Sequence, residues 1–174
     1  MRHFMMNKLF PTNYLPSIFE IDVEELKRRG KKGIIFDIDN TLVPYDVEEP
    51  PKAIIDFFDI IKEAGLKITL VSNNTEDRVT KFNDRLKVFA LHKSQKPFTK
   101  SFIRALELMG CKKEEAIIVG DQIFTDVYGG NLAGIETILV VPVSDKDEWI
   151  TKIKRGLEKR VIKHYERQHN KHNR

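Results

Sequence analysis

The sequence predicts an α/β domain built on a mainly parallel five-stranded sheet, and three observations carry that expectation. From residue 33 onward, short β-branched runs alternate with helical patterns, the signature of strand–helix–strand units. Polar residues begin where each apolar run stops, which places them at one edge of a parallel sheet. No long insertion or internal repeat separates the elements, and 174 residues suit one domain with terminal extensions.

The elements follow in order. Residues 1–32 read as an apolar segment and a short helix, and the core runs over 33–143. Gly33-Ile34-Ile35-Phe36 is the first strand, leading directly into Asp37. Pro51 to Ala64 spaces Ile54, Ile55, Phe58 and Ile61 as a helix does, with proline near its first turn and Gly65 where a C-terminal cap belongs. Lys67 to Val71 is a second strand, running into Ser72-Asn73-Asn74, and Glu76 to Leu86 a second helix. Val88 to Leu91 is a third strand, and Thr99 to Met109, closed by Gly110, a third helix. Ala116 to Val119 leads into Gly120-Asp121, Ile123 to Ala133 is a helix closed by Gly134, and Thr137 to Val141 is the fifth strand. Residues 144–174 read as a basic amphipathic extension.

Composition bounds the functional classes. With 41% hydrophobic and 32% charged residues, the chain can bury a core without staples, which excludes global disorder. Cys111 is the single cysteine, so no internal disulfide forms. Charged residues interrupt every apolar stretch, which argues against a transmembrane helix. With no secretory leader pattern at the N-terminus, a cytoplasmic location is expected. The net charge of +4 conceals an asymmetry, because residues 146–174 hold ten Lys and Arg against four acids while the remainder is slightly acidic. A basic tail on an acidic body points to an anionic surface, either phospholipid or nucleic acid.

In open α/β sheets, ligands bind outside the carboxyl ends of the strands, so the polar residues after successive strands share one crevice. Asp37 and Asp39 follow the first strand and point to the same side of an extended segment. Asp121 and Asp126 follow the fourth. Carboxylates crowded at one edge repel one another unless a cation sits among them, and oxygen-only ligands favour a hard ion such as Mg²⁺. Lys96, ahead of Pro97, offers an ammonium group, and Ser72 a hydroxyl. Backbone amides near the helix that starts at Glu76 can receive phosphate oxygens. Ser72, Asn73 and Lys96 are therefore the candidate phosphate-binding residues. Carboxylates, a hard cation, a lysine and a hydroxyl suit phosphoryl transfer, in which a carboxylate acts as nucleophile. Ser72 as a turn cap, Lys96 as a surface lysine, and Asn40 and Thr41 as loop-shaping residues are the competing structural readings.

Asp37-Ile38-Asp39-Asn40-Thr41-Leu42 resembles motif I of the haloacid dehalogenase (HAD) superfamily of phosphatases. Ser72-Asn73-Asn74 resembles motif II, Lys96-Pro97 motif III, and Gly120-Asp121-Gln122-Ile123-Phe124-Thr125-Asp126 motif IV. The ordered set covers roughly residues 33–143. It implies a three-layer α/β/α Rossmann-like core. It also implies Asp37 as nucleophile and magnesium ligand, and Asp39 as the acid/base that binds the ion through its backbone carbonyl. Asp121 would be a carboxylate ligand, with Asp126 holding an ion-bound water or orienting Asp121 or Lys96. An acid at position 39 favours a phosphatase over a dehalogenase.

The stretches from Thr41 to Leu70 and from Asn74 to Lys96 are too short for a large cap domain, so the site is expected to be open and to suit bulky substrates. The N-terminal segment from Leu9 to Ile21, with this capless core, resembles the HAD subfamily IIIA phosphatases of the YqeG type, which are similar to phosphatidylglycerophosphate phosphatases. That resemblance implies a phosphorylated lipid head group as substrate and dephosphorylation to phosphatidylglycerol. Phe4, Met5, Met6, Leu9 and Phe10 give an apolar N-terminus. Trp149, Ile153, Leu157 and Val161 fall at i+4 steps on a helix whose other faces are basic, which suits the inner face of an anionic membrane. Alternatively, both ends pack on the core, or the N-terminus forms an oligomer contact. The competing functional readings are a HAD phosphatase of a nucleic-acid end, phosphoprotein or nucleotide, and a nucleic-acid- or ribosome-binding protein on a HAD scaffold. Against the last stands the lack of aromatic interleaving in the tail.

Overall fold

In the computed structural model, residues 8–144 and 149–169 are described, with side chains over 156–167 in the latter stretch. Phe4, Met5 and Met6, and the side chains of Trp149 and Ile153, lie outside the described residues.

Six strands form one sheet: β1 (Asn13–Leu15), β2 (Gly33–Phe36), β3 (Lys67–Val71), β4 (Phe89–Leu91), β5 (Ala116–Gly120) and β6 (Glu136–Val140). Their order is β1-β6-β5-β2-β3-β4, and every pairing is parallel. The sequence had indicated five. The sixth is β1, a three-residue edge strand from the apolar N-terminal segment, which pairs Asn13 with Ile138 and Leu15 with Val140. Pro11 and Pro16 bracket it, and three residues are too few to display a period. This part of the segment covers a sheet edge.

Among the described residues, six α-helices accompany the sheet: α1 (Val23–Arg28), α2 (Lys52–Glu63), α3 (Glu76–Asn83), α4 (Lys100–Met109), α5 (Tyr128–Ala133) and α6 (Trp149–His169). Side-chain direction alternates along each strand, so β2 sends Ile34 and Phe36 to one face and Ile35 to the other. The first face is covered by Leu26 of α1, Phe57, Phe58 and Ile61 of α2, and Val79 and Phe82 of α3. The second is covered by Phe102, Ala105, Leu106 and Met109 of α4. Each large side chain buried there contributes about 1.5–3 kcal/mol. The result is a three-layer α/β/α sandwich with no cap domain among the described residues.

Two local departures bear on function. The helix expected over 123–133 is in fact a π-helical turn, Ile123–Val127, followed by α5. Such widened turns cluster at functional sites. Among the described side chains of α6, the expected stripe is only partly buried. Leu157 is 50% exposed, whereas Glu158 and Tyr165 are buried and Val161 and Ile162 pack on Ile123, Val127 and Leu139. The set 158, 161/162, 165 also follows the helical period, and Glu158 is accommodated in it by hydrogen bonds.

Candidate active site

The sheet reverses its winding direction at the central pair. From β2 the chain proceeds through β3 to β4 on one side, and β5 with β6 lies on the other. The crevice outside the carboxyl ends of β2 and β5 is where such sheets bind ligands. Phe36 is in register with Val119, and Asp37 N donates to Val119 O at 3.0 Å, so Asp37 and Asp121 leave neighbouring strands side by side.

Asp37, Asp121 and Asp126 each present a carboxylate oxygen, all within 4.8 Å of one another, and all three are buried. Thr41 Oγ lies 3.2 Å from Asp37 Oδ2 and 3.1 Å from Asp121 Oδ1, bridging the loops of the two central strands. It reaches back because Asn40 takes a left-handed conformation, φ 61°, that asparagine tolerates. Gly120 lets Asp126 approach: a Cβ there would stand 2.3 Å from Asp126 Cγ.

Lys96 enters from the loop between β4 and α4. Its Nζ donates to Asp37 Oδ1 at 2.6 Å and to Asp126 Oδ1 at 2.7 Å. Burial acts to lower its pKa, but the charges of Asp126 and Asp37 outweigh this and raise it above the usual lysine range. Burial likewise pushes Asp126 up, with repulsion from Asp37 adding to it and Lys96 opposing.

Asp39 stands apart from this cluster. Its Oδ1 accepts from Arg78 Nε at 3.3 Å and Nη2 at 3.0 Å, and its Oδ2 accepts from Asn74 Nδ2 at 3.1 Å. Burial, then repulsion from Asp37, holds its pKa above the ordinary carboxylate value, against Asn74 and Arg78. The two neighbouring acids thus sit in different environments, Asp37 against Lys96 and Thr41 and Asp39 against Arg78 and Asn74.

The remaining expected residues support the site through the backbone. Ser72 Oγ accepts from Asn74 N at 3.0 Å, and Asn73 Oδ1 accepts from Lys96 N at 2.7 Å while its Nδ2 donates to Lys96 O at 3.3 Å. Asn73 therefore pins the main chain of Lys96 in the structure. Three contributors did not stand out in the sequence as site residues: Thr41 as a bridge, Arg78 as the partner of Asp39, and Glu158, whose Oε1 accepts from Ile123 N at 2.8 Å. Arg78 lies in the first turn of the helix after motif II, the one signal that could have placed it.

Comparison with known proteins bears on the family. The family described as HAD-hydrolase-like matches residues 94–163. The chain is 45% identical over 159 residues to the "Probable phosphatase YqeG" of Bacillus subtilis, covering 91% of this chain and 92% of that protein. It is 34% identical over 158 residues to the chloroplastic/mitochondrial phosphatidylglycerophosphate phosphatase 1 of Arabidopsis thaliana, covering 83% of this chain and 44% of that one. Among solved structures, the cobalt-bound deoxy-D-mannose-octulosonate 8-phosphate phosphatase of Haemophilus influenzae shares the fold, with a TM-score of 0.55 at 13% identity over 80% of this chain and 91% of its own.

Proposed function

Because the chain belongs to the HAD-like hydrolases and is a phosphatase of that family, we propose that it is a magnesium-dependent phosphomonoesterase working through an aspartyl phosphate on Asp37. The observation that carries this reading is the buried constellation of Asp37, Asp121, Asp126 and Lys96 at the switch point of the sheet.

The donor set fits a hard divalent cation. It is all oxygen, and three carboxylates with one ammonium leave two negative charges that such an ion matches. Asp37 and Asp121 would hold it through carboxylates and Asp39 through its backbone carbonyl. When bound, Mg²⁺ supplies Lewis-acid polarisation and charge neutralisation at the phosphoryl group.

The chain's own residues perform the rest. A carboxylate oxygen of Asp37 attacks phosphorus, and the bond to the leaving oxygen breaks. Asp39 transfers its proton to that oxygen, releasing the alcohol. Asp39, now ionised, takes a proton from water, which attacks phosphorus and releases inorganic phosphate and the Asp37 carboxylate. Lys96 keeps charge on the phosphoryl oxygens matched and is oriented by Asp126. The hydroxyl of Ser72 and the amide of Asn73 bind phosphate, and the Asn73 side chain acts by fixing Lys96.

The substrate is phosphatidylglycerophosphate or a closely related lipid phosphomonoester, presented at an anionic membrane surface. Supporting this are the similarity to the Arabidopsis protein and the lack of a cap domain among the described residues. Tyr45, Phe98 and Val143 lie in the loops after β2, β4 and β6 with exposed side chains, Phe98 at 71%. Lys159, Arg160, Lys163 and Arg167 are exposed on α6. No described helix is long and apolar enough to cross a membrane. The test is Mg²⁺-dependent phosphate release from phosphatidylglycerophosphate in mixed micelles, beside nucleotide, sugar and phosphopeptide esters, with Asp37→Asn as the blank. Selective release from the lipid is expected; release from soluble esters alone would reject the lipid substrate and keep the phosphatase.

A further inference from the structure

Glu158 belongs to α6, beyond the stretch that carries the four motifs, yet it is only 4% exposed. Its Oε1 accepts from Ile123 N at 2.8 Å and from Phe124 N at 3.3 Å. These amides open the π-helical turn Ile123–Val127, which follows Asp121 and carries Asp126. The opening amides of a helical segment have no partner within it. The amide just before them, Gln122 N, is taken by Asp126 Oδ2 at 3.2 Å. Two carboxylates therefore hold three consecutive amides, one from the acidic cluster and one from α6.

A helix that merely packed on this turn would place an apolar residue at 158, as it does with Val161 and Ile162 one turn later. A buried carboxylate costs several kcal/mol unless its hydrogen bonds compensate. Here they fall on the segment joining Asp121 to Asp126, and through Asp126 they reach Lys96. We propose that Glu158 is a positioning residue for the acidic site. It fixes the Ile123–Val127 turn and so sets the spacing of Asp121, Asp126 and Lys96 that a divalent cation and a phosphoryl group require. The proposal rests on the cation-dependent phosphatase reading of the same site.

The test uses the full-length chain as Glu158→Ala, Glu158→Gln and Val161→Ala, with Asp121→Asn as the reference for the cation site. Mn²⁺ binding by electron paramagnetic resonance, in the absence of substrate, is read beside Tm. Glu158→Ala weakens Mn²⁺ binding roughly tenfold or more, as loss of groups supporting metal ligands does. Glu158→Gln, which keeps the acceptor oxygen but loses its charge, binds Mn²⁺ about threefold more weakly than the parent. Val161→Ala, which loses packing from the same helix, lowers Tm and leaves binding unchanged. Should Glu158→Ala not fold, Glu158→Gln still binds Mn²⁺ detectably more weakly than Val161→Ala; equal binding by those two overturns the proposal. So does parent-like binding by Glu158→Ala, or a loss in Val161→Ala as large as in Glu158→Ala. If Asp121→Asn also binds as the parent does, the cation site itself is rejected; if only the Glu158 variants do, the positioning role alone fails.

Discussion

Lys96 Nζ stands 2.6 Å from Asp37 Oδ1, with both side chains less than a tenth exposed. An ammonium buried this closely against a carboxylate restrains the oxygen it touches and leaves Asp37 Oδ2 to Thr41. Lys96→Met keeps the volume and removes the charge. Breaking a buried pair from one side costs about 3 kcal/mol, because the remaining carboxylates repel. The expected outcome is a lower Tm that Mg²⁺ partly restores, with kcat reduced by about 10²–10³. Thermal melts with and without Mg²⁺, beside phosphate-release assays, check both.

Asp37→Asn should abolish turnover, since an amide cannot form the acyl phosphate. Asp39→Asn should retain Mg²⁺ and phosphate binding and slow the chemical step about 10²–10⁴-fold. Single-turnover kinetics with a chromogenic phosphomonoester separate binding from chemistry. Parent-like rates in either variant would overturn the assignment.

Gly120→Ala tests the close approach on the far side of the cluster. The added Cβ would meet Asp126 Cγ at 2.3 Å and its Cβ and Oδ2 at 2.4 Å. Overpacking of this kind costs about 1–3 kcal/mol, and the displaced Asp126 loosens its hold on Lys96. A lower urea midpoint together with reduced kcat is expected. A loss of stability with kcat unchanged would show that Asp126 is not needed where it stands.

Glu136 opens β6 at the opposite edge of the sheet and receives Lys31 Nζ at 2.8 Å and Arg29 Nη2 at 2.7 Å. Burial acts to raise its pKa, but these two cations outweigh it and hold the carboxyl below its ordinary value. A depressed folded-state pKa contributes stability that is present above the unfolded value, about 4.3, and is lost as pH falls through the folded value. Glu136→Gln should therefore cost about 2 kcal/mol at pH 7 and progressively less below pH 4. Urea melts from pH 7 to pH 3 follow the convergence, and kcat at pH 7 should not change.

The central strands and the residues at their ends were legible because β2, β3 and β5 are buried on both faces and read as continuous β-branched runs. Their carboxyl ends are marked by an abrupt change to Asp37, Ser72 and Asp121. The edge strand β1 was not, because an edge needs no apolar continuity and its pairing with residues 138–140 is invisible locally. Glu158 was hidden for a different reason. Hydropathy assigns a glutamate to the solvent face, and only the amides of Ile123 and Phe124, brought in by tertiary packing, make a buried position tolerable. Arg78 reads as an ordinary charged residue of α3; Asp39 and the ring of Phe82, 5.3 Å from its guanidinium carbon, give it a fixed place.

The order of the strands also governs when this protein can exist. Thr41 and Asp121 are 80 positions apart, and Thr12 meets Thr137 across 125. Contacts of such long sequence separation form late and slow the search for the native state. On a ribosome, the N-terminal half must wait on the order of ten seconds of synthesis before β5 and β6 emerge to pair with it. Until then β2 has one exposed edge and the acidic cluster has only its first member. The waiting fragment thus carries an unpaired strand edge and an incomplete cation site, and truncations ahead of residue 140 should accumulate as aggregates rather than as weakened enzymes.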